Sequence, residues 1–162
     1  MRYGPIPGAP NFTYEELLHS DTAVREGIQN IPDDPDVWDN MEYLARTVLQ
    51  PVRDRFGPIR VTSGYRSAAL NRAIPGSSKT SHHCSGAAAD IEPVSAGVPL
   101  RDIFSFIAEN LPYTEPIAET LPGGWIHVAI VRGREDERAV KFKRVGGLVR
   151  RSSYGEVMAM SW

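Results

Sequence analysis

The amino-acid sequence predicts an α+β fold, with helices packed on one face of a mainly antiparallel sheet. Two observations support this class: helical patterns come first along the chain, and strand patterns cluster later. The chain has 162 residues, of which 41% are hydrophobic, so it is long enough to bury a core without disulfides. We therefore expect residues 1–162 to form a single domain, with residues 1–10 flexible.

Capping residues mark where the helices begin. Thr13 and Glu16 have the spacing of a capping box, and Asp34 followed by Pro35 begins the longest predicted helix. That helix carries an apolar stripe to residue 52, and Pro51 predicts a kink near its end. Shorter helical segments are expected at residues 21–27, 68–74 and 99–110.

Four segments have the composition and alternation of strands: residues 59–63, 87–92, 125–132 and 139–145. In a strand, successive side chains point to opposite faces. The alternation separates Asp90 from the apolar residues next to it in the second segment, and it does the same for His127 in the third. Both polar side chains are therefore expected on the face of the sheet away from the helices.

The stretch SHHCSGAAAD at residues 81–90 is the most specific feature of the chain. It contains His83 and Asp90, and Gly86 between them allows the sharp turn that brings His83 to the ends of the strands. Together with His127, these residues supply two imidazoles and one carboxylate. That is the ligand set of catalytic zinc with one open position, whereas structural zinc is usually closed by four residues.

Two further considerations bear on this site. The chain contains one cysteine, which excludes a thiolate cage. A single strand histidine is more often a hydrogen-bonded core or surface residue than a metal ligand, so His127 by itself would be weak evidence. In combination with the stretch at residues 81–90, a metal site is the preferred interpretation.

Several motifs follow one another in order: VTSGYRS at 61–67, LN at 70–71, SHHCSGAAAD at 81–90 and WIHV at 125–128. Together they resemble the zinc D-alanyl-D-alanine carboxypeptidase family. That family includes cell-wall carboxypeptidases, vancomycin-resistance dipeptidases and phage endolysins, and it shares its metal-site architecture with the hedgehog signalling domain. The upstream part, from residues 12–17 through residues 48–53, also resembles its short phage-associated members, so the likeness covers nearly the whole chain.

The resemblance implies that His83, Asp90 and His127 bind one zinc ion on the open face of the sheet. It implies that Arg66 contacts the terminal carboxylate or the peptide carbonyl of a substrate, and that Ser81 lies in the same pocket. The planar guanidinium of arginine suits a carboxylate, because it donates two parallel hydrogen bonds that lysine cannot reproduce. The alternative for Arg66 is a solvated arginine at a helix start.

Tyr65 belongs to the same motif as Arg66 and is a further candidate for substrate binding. Ser67 and Asn71 have structural explanations that we prefer. Ser67 is expected to cap the helix at residues 68–74, and Asn71 is expected to hold the loop that follows.

The catalytic base is the point at which the chain departs from part of the family. Dipeptidase-like members carry an acidic residue three positions before the last histidine, where this chain has Gly124. Short members have a glutamate further upstream, and Glu119 is the best match. We predict Glu119 as the base or a substrate contact, the alternative being an exposed loop glutamate; Glu92 and His82 are the other candidates near the metal.

The function implied is hydrolysis of an amide bond in peptidoglycan stem peptides by metal-activated water. A D-Ala-D-Ala carboxypeptidase and an endolysin-like cell-wall endopeptidase are both open. Two alternatives come from other classes. One is a non-catalytic zinc-containing module that binds the cell wall or a protein, for which Gly124 is the best argument; the other is a phage structural component.

The charge is unevenly distributed along the chain. Residues 132–151 contain eight Lys or Arg and three acidic residues, although the net charge of the whole chain is −2. Such a segment could bind nucleic acid, but residues 139–145 alternate like a strand with one solvated face, which we prefer. We expect a peptidoglycan peptide as the partner, no nucleic acid, and a monomer.

The N-terminal residues lack the apolar core of a signal peptide, and no apolar run reaches the ~20 residues of a membrane span. We therefore expect synthesis in the cytoplasm, no membrane insertion, and action at the cell wall or in the periplasm in association with a phage or prophage.

Overall fold

The computed structural model describes residues 1–121, 124–144 and 148–162, except for the side chains of residues 121, 143 and 144. The helices are α1 Tyr14–Leu18, α2 Asp21–Glu26, α3 Pro35–Leu44, α4 Gln50–Phe56, α5 Ala68–Ala73, α6 Leu100–Asn110 and α7 Tyr154–Met158. The strands are β1 Pro5–Ile6, β2 Ala9–Thr13, β3 Ile59–Ser63, β4 Ala88–Pro93, β5 Glu115–Leu121, β6 Trp125–Ala129, β7 Lys141–Arg144 and β8 Arg150–Arg151. The fold is thus a mixture of helices and sheets.

Within the described residues, six strands form one sheet in the order β3-β4-β6-β5-β7-β8. The pairing of β5 with β7 is parallel, and the other neighbours pair antiparallel. The sheet is therefore mixed, which corrects the expectation of a mainly antiparallel sheet. Both edges of β6 are occupied, by β4 and β5. The chain that leaves β6 therefore joins the sheet on the far side of β5 and runs parallel to it.

The helix starts follow the capping residues seen in the sequence. Thr13 accepts a hydrogen bond from the Glu16 amide, and Ser67 accepts one from the Leu70 amide, as predicted for both caps. Asp34 caps α3 with Pro35 in its first turn. These local interactions involve neighbours in the chain, so the sequence alone is sufficient to identify them.

The longest predicted helix is continuous but irregular. Between α3 and α4 the backbone forms a π-helical segment, Ala45–Leu49, and Pro51 follows at the start of α4. Proline has no amide hydrogen and its ring crowds the preceding turn. The π-helical segment lies where the sequence predicts a kink, and widening of the turn is a known way for a helix to absorb such a disruption.

Strand β5 is the main element that the sequence analysis missed. Its sequence, EPIAETL, contains two glutamates and a proline, which weaken the alternating apolar pattern of a strand. The pairing with β7 starts at Ile117, one residue beyond Pro116. The predicted strand at 139–145 corresponds to β7, and its last residue, Val145, lies outside the described residues.

The hydrophobic core contains apolar side chains from both the sheet and the helices. The apolar residues of β4 and β6 belong to one buried cluster with residues of α6 and of the long helix: Ala89, Ile91, Ile126, Val128, Ile103, Phe104, Ile107, Val48 and Leu49. Asp90 and His127 alternate with these strand residues, as the sequence predicts. The burial of the apolar residues thus fixes which face presents the polar pair.

The N-terminal segment, expected to be flexible, is folded against the rest of the chain from Pro5 onward. β1 and β2 form a two-stranded antiparallel sheet, and Ile6 and Ala9 are fully buried in the core. In the described part of the chain, no helix combines the length and apolar character needed to cross a membrane.

A substitution at Gly86 tests the turn that leads into β4. Gly86 has a φ of +71°, and a Cβ there would lie 2.5 Å from the Val37 carbonyl oxygen. Gly76 has a similar φ of +75°, but a Cβ there would meet none of the described atoms within 4 Å. Gly76→Ala is expected to cost about 1–2 kcal/mol from backbone strain alone. Gly86→Ala is expected to cost roughly 1–3 kcal/mol more because of the contact.

Urea unfolding of both variants measures this difference. Equal losses of stability would show that the contact at Gly86 relaxes without cost and that only the backbone conformation matters.

Candidate metal centre

Three side chains from separate parts of the chain converge on one point. In the pairing of β4 with β6, Asp90 lies directly opposite His127. His83 comes from a short 3-10 helix, His82–Ser85, which ends at Gly86 in the left-handed conformation. The three residues predicted as metal ligands are therefore neighbours in the folded chain.

The ligand atoms of these residues all lie within 4.8 Å of one another. His127 Nδ1 is 2.9 Å from Asp90 Oδ1, and His83 Nε2 is 3.1 Å from His127 Nδ1. His83 Nε2 is also 3.3 Å from Asp90 Oδ1. Within the described residues, this is the group of His, Cys, Asp and Glu side chains that could hold a metal ion.

Burial and mutual contacts set the charge states of His83 and Asp90. His83, Asp90 and His127 are 2%, 7% and 7% exposed. Burial lowers the pKa of His83, since it disfavours the charged imidazolium more than the neighbouring Asp90 favours it. Burial alone would raise the pKa of Asp90, but the interactions with His83 and His127 hold it well below its usual range. A neutral imidazole and an ionised carboxylate are the forms that bind metal.

The hydrogen bond of His83 to the backbone selects which of its nitrogens faces the cluster. Its Nδ1 donates to the Gly64 carbonyl oxygen at 2.7 Å, so the lone pair is on Nε2. Gly64 itself packs against the backbone of Leu17. A Cβ at position 64 would lie 2.2 Å from the Leu17 carbonyl oxygen, so only glycine fits there. The VTSGYRS motif thus contributes to the site through its glycine.

The donor set fits a divalent cation. The lone pair of His83 Nε2 is directed at Asp90 Oδ1 and at His127 Nδ1. A single proton on His127 Nδ1 can be donated to His83 Nε2 or to Asp90 Oδ1, but it cannot satisfy both acceptors fully. A cation between them would be bound by two imidazole nitrogens and one carboxylate oxygen, as in catalytic zinc sites. The geometry therefore supports the predicted use of His83, Asp90 and His127 as ligands.

Arg66 contacts the cluster itself. Its Nη2 donates to Asp90 Oδ2 at 2.7 Å, and its Nε donates to Ser63 Oγ at 2.8 Å. Asp90 can therefore use Oδ1 toward a metal while Oδ2 is held by the guanidinium. The sequence analysis placed Arg66 on the substrate, and its contact with Asp90 was not expected.

A cavity of about 450 Å³ opens in front of the cluster. Its lining includes Arg66, Ser81, His82 and Glu119, four of the residues that the sequence analysis placed near the metal. Tyr65 is buried in the hydrophobic core, and it does not occur among the described residues that line the cavity. The structure therefore gives Tyr65 a role in packing, and its role in substrate binding stays a prediction.

Glu92 also lies away from the described lining of the cavity. Its carboxylate forms a salt bridge with Arg60 on β3 at 2.6 Å. Of the alternatives to Glu119, only His82 is found among the described residues of the cavity wall.

The backbone conformation at position 124, just before β6, explains why the chain has glycine there. Gly124 has a φ of +88°, and a Cβ there would lie 2.2 Å from the Glu119 carbonyl oxygen. Any side chain, an acidic one included, would be strained and crowded at this position. Glu119 lies opposite Trp125 on the face of the sheet that carries His127, and it is half-buried in the cavity wall.

Glu115 and Lys141 are site residues that the sequence analysis missed. Glu115 Oε1 is 4.0 Å from His127 Nε2, and the Lys141 ammonium donates a hydrogen bond to Glu115 Oε2. On β5, Ile117 lies opposite His127, and Glu115 and Glu119 lie two residues to either side of Ile117 on the same face. The alternation of Glu115, Ile117 and Glu119 could have revealed this face if β5 had been recognised as a strand.

The cluster is expected to bind one zinc ion per chain. His83→Ala and Asp90→Asn are each expected to weaken zinc binding more than about 100-fold, since the loss of outer partners alone costs 10–100-fold. Because burial lowers the pKa of His83 below 6.5, retention should be complete at about pH 7.5 and should fall as the solution approaches about pH 5.

Equilibrium dialysis with metal analysis measures this binding. His19→Ala, which removes an imidazole 65% exposed on the surface, is the matched control and should bind as the unaltered chain does. Equal binding by all variants would contradict the site.

Comparison with models of known protein families finds a match. The model of the family described as peptidase M15 matches residues 10–129, which include the whole buried cluster, Arg66 and Glu119. No curated protein matches the chain. The family model covers most of the chain, and the resemblance inferred from the sequence motifs is confirmed. The chain therefore belongs to the peptidase M15 family, the metallopeptidases related to zinc D-alanyl-D-alanine carboxypeptidases.

Proposed function

We propose that the protein is a zinc-dependent hydrolase of amide bonds in peptidoglycan stem peptides. The observation that carries this proposal is the buried cluster of His83, Asp90 and His127 at the base of an open cavity, in a chain of the peptidase M15 family. Both a D-Ala-D-Ala carboxypeptidase and an endolysin-like endopeptidase are compatible with such a cavity.

In this proposal His83 Nε2, Asp90 Oδ1 and His127 Nδ1 hold the zinc ion. A bound zinc ion would polarise the scissile carbonyl and lower the pKa of a water molecule to about 7. This chemistry removes the need for a serine or cysteine nucleophile.

Glu119 acts as the general base. Its carboxylate accepts a proton from the attacking water and passes it to the nitrogen of the leaving amine as the carbon–nitrogen bond breaks. The support is its position in the cavity wall, two residues from Ile117, the residue opposite His127. Ser81, which also lines the cavity, contributes a hydroxyl that can orient the peptide.

Arg66 has two tasks in this proposal. It fixes Asp90 through the Nη2 hydrogen bond, and its guanidinium also lines the cavity, where it can contact a carbonyl or carboxylate of the substrate. Both tasks use the planar distribution of its donors.

The architecture supports this arrangement. We propose that residues 1–162 form one domain with the helices on one face of the sheet and the zinc site on the other. We also propose that it works as a monomer at the cell wall, with a phage or prophage as its setting.

The second candidate is a zinc-containing module that binds cell-wall peptides without cutting them. Gly124 favours it, because the acidic residue that dipeptidase-like relatives carry at this position is missing. Both functions use the same metal site, but only the hydrolase needs Glu119 as a general base.

Glu119→Gln is expected to lower the rate of hydrolysis by about 10²–10⁴-fold, because the amide cannot accept the proton. Zinc-loaded protein is incubated with purified muropeptides, and the products are identified by mass spectrometry. Glu26→Gln, an exposed glutamate on α2, is the control and should remain fully active.

The products also separate the functions. Release of D-alanine indicates a carboxypeptidase, and separation of crosslinked dimers indicates an endopeptidase. Zinc-dependent retention of fragments without cleavage would support the binding module. Full activity of Glu119→Gln would remove Glu119 from the mechanism while leaving the enzyme in place.

Arg66→Lys is expected to lower kcat/KM by about tenfold or more, because a lysine cannot contact Asp90, Ser63 and substrate together. Kinetics and zinc affinity are measured on the same variant. A rise in KM at unchanged zinc affinity indicates substrate contact, and a loss of zinc affinity indicates support of Asp90. An unchanged kcat/KM would contradict both tasks.

A further inference from the structure

Glu115 lies beside the cluster and has no part in the hydrolysis described above. It is the first residue of β5, its side chain is 14% exposed, and it lines the same cavity as His127. Its Oε1 is 4.0 Å from His127 Nε2, while its Oε2 accepts a hydrogen bond from Lys141. The carboxylate therefore lies between a candidate metal ligand and a cation.

The orientation of His127 determines what such a carboxylate can do. Its Nδ1 faces Asp90 and His83, at 2.9 Å and 3.1 Å, so Nδ1 is the nitrogen directed at a metal. Binding through Nδ1 requires the tautomer that carries its proton on Nε2. The Nε2 proton then points away from the metal, toward the side on which Glu115 lies.

We infer that Glu115 is a positioning residue that holds His127 in the tautomer and orientation that bind a divalent cation. The inference rests on the metal site of the proposed function and adds a carboxylate to it. At 4.0 Å the interaction is electrostatic: the negative charge stabilises the Nε2–H dipole and makes Nδ1 a stronger donor. Lys141 holds the carboxylate in place and offsets part of its charge.

The rival explanation is that Glu115 and Lys141 only form an ion pair that joins β5 to β7. The two explanations predict different results when each partner is removed separately. An ion pair that is merely structural is lost equally in Glu115→Gln and in Lys141→Met. A charge that acts on His127 is lost only in Glu115→Gln, whereas in Lys141→Met it is retained and less neutralised.

The experiment measures the dissociation constant of zinc for the full chain by competition with a chromophoric chelator. We expect Glu115→Gln to raise the dissociation constant about tenfold or more. Lys141→Met should leave it unchanged or lower it, and Glu115→Asp, which keeps the charge, should restore most of the affinity.

Two controls accompany these variants. Thermal unfolding without metal verifies that each variant is folded. Glu92→Gln breaks a comparable pair, Glu92 with Arg60 at 2.6 Å, in the same sheet, and it should leave zinc affinity unchanged.

An unchanged affinity in Glu115→Gln, or an equal loss in Lys141→Met, would overturn the inference while the proposed function stands. A chain that binds zinc but cleaves no muropeptide would overturn the hydrolysis alone, since the affinities still test Glu115. A chain that binds no zinc would overturn both.

Discussion

The register between β4 and β6 is the constraint on which the rest of the structure depends. It places Asp90 directly opposite His127 while Ile91 and Ile126 face the core. A slip of one residue would turn every side chain of one strand to the other face, burying a charge among apolar residues and breaking the pair. The same hydrogen-bonded ladder therefore specifies both the core and the metal centre.

Burying three polar groups is unfavourable unless each has a partner. His83 donates to the Gly64 carbonyl, Asp90 accepts from Arg66, and His127 contacts Asp90. These partners, Gly64, Arg66 and Asp90, come from the segment that follows β3 and from β4. The segment with the VTSGYRS motif thus acts as a support for the ligands, which explains why its glycine and arginine matter to a site at which neither has to bind metal.

Strand β5 places two carboxylates beside the buried cluster. Glu115 and Glu119 stand on either side of the residue opposite His127, but their surroundings differ. Glu115 accepts a hydrogen bond from Lys141, which suits a fixed charge, and Glu119 lines the cavity with its backbone carbonyl oxygen beside Gly124. One strand can therefore supply both an electrostatic support and a proton acceptor, because side chains two residues apart share a face.

The sequence by itself identified the candidate ligands, the helix caps and the polar face that carries Asp90 and His127, because alternation, capping and the spacing within residues 81–90 are local properties. Only the tertiary structure decided that Arg66 holds Asp90, that Tyr65 packs in the core, and that Glu115 meets His127. The contacts of Arg66 with Asp90 and of Glu115 with His127 depend on the strand order β3-β4-β6-β5. They join residues distant in the chain, and the proline and two glutamates of β5 kept the sequence analysis from recognising this strand and its neighbours.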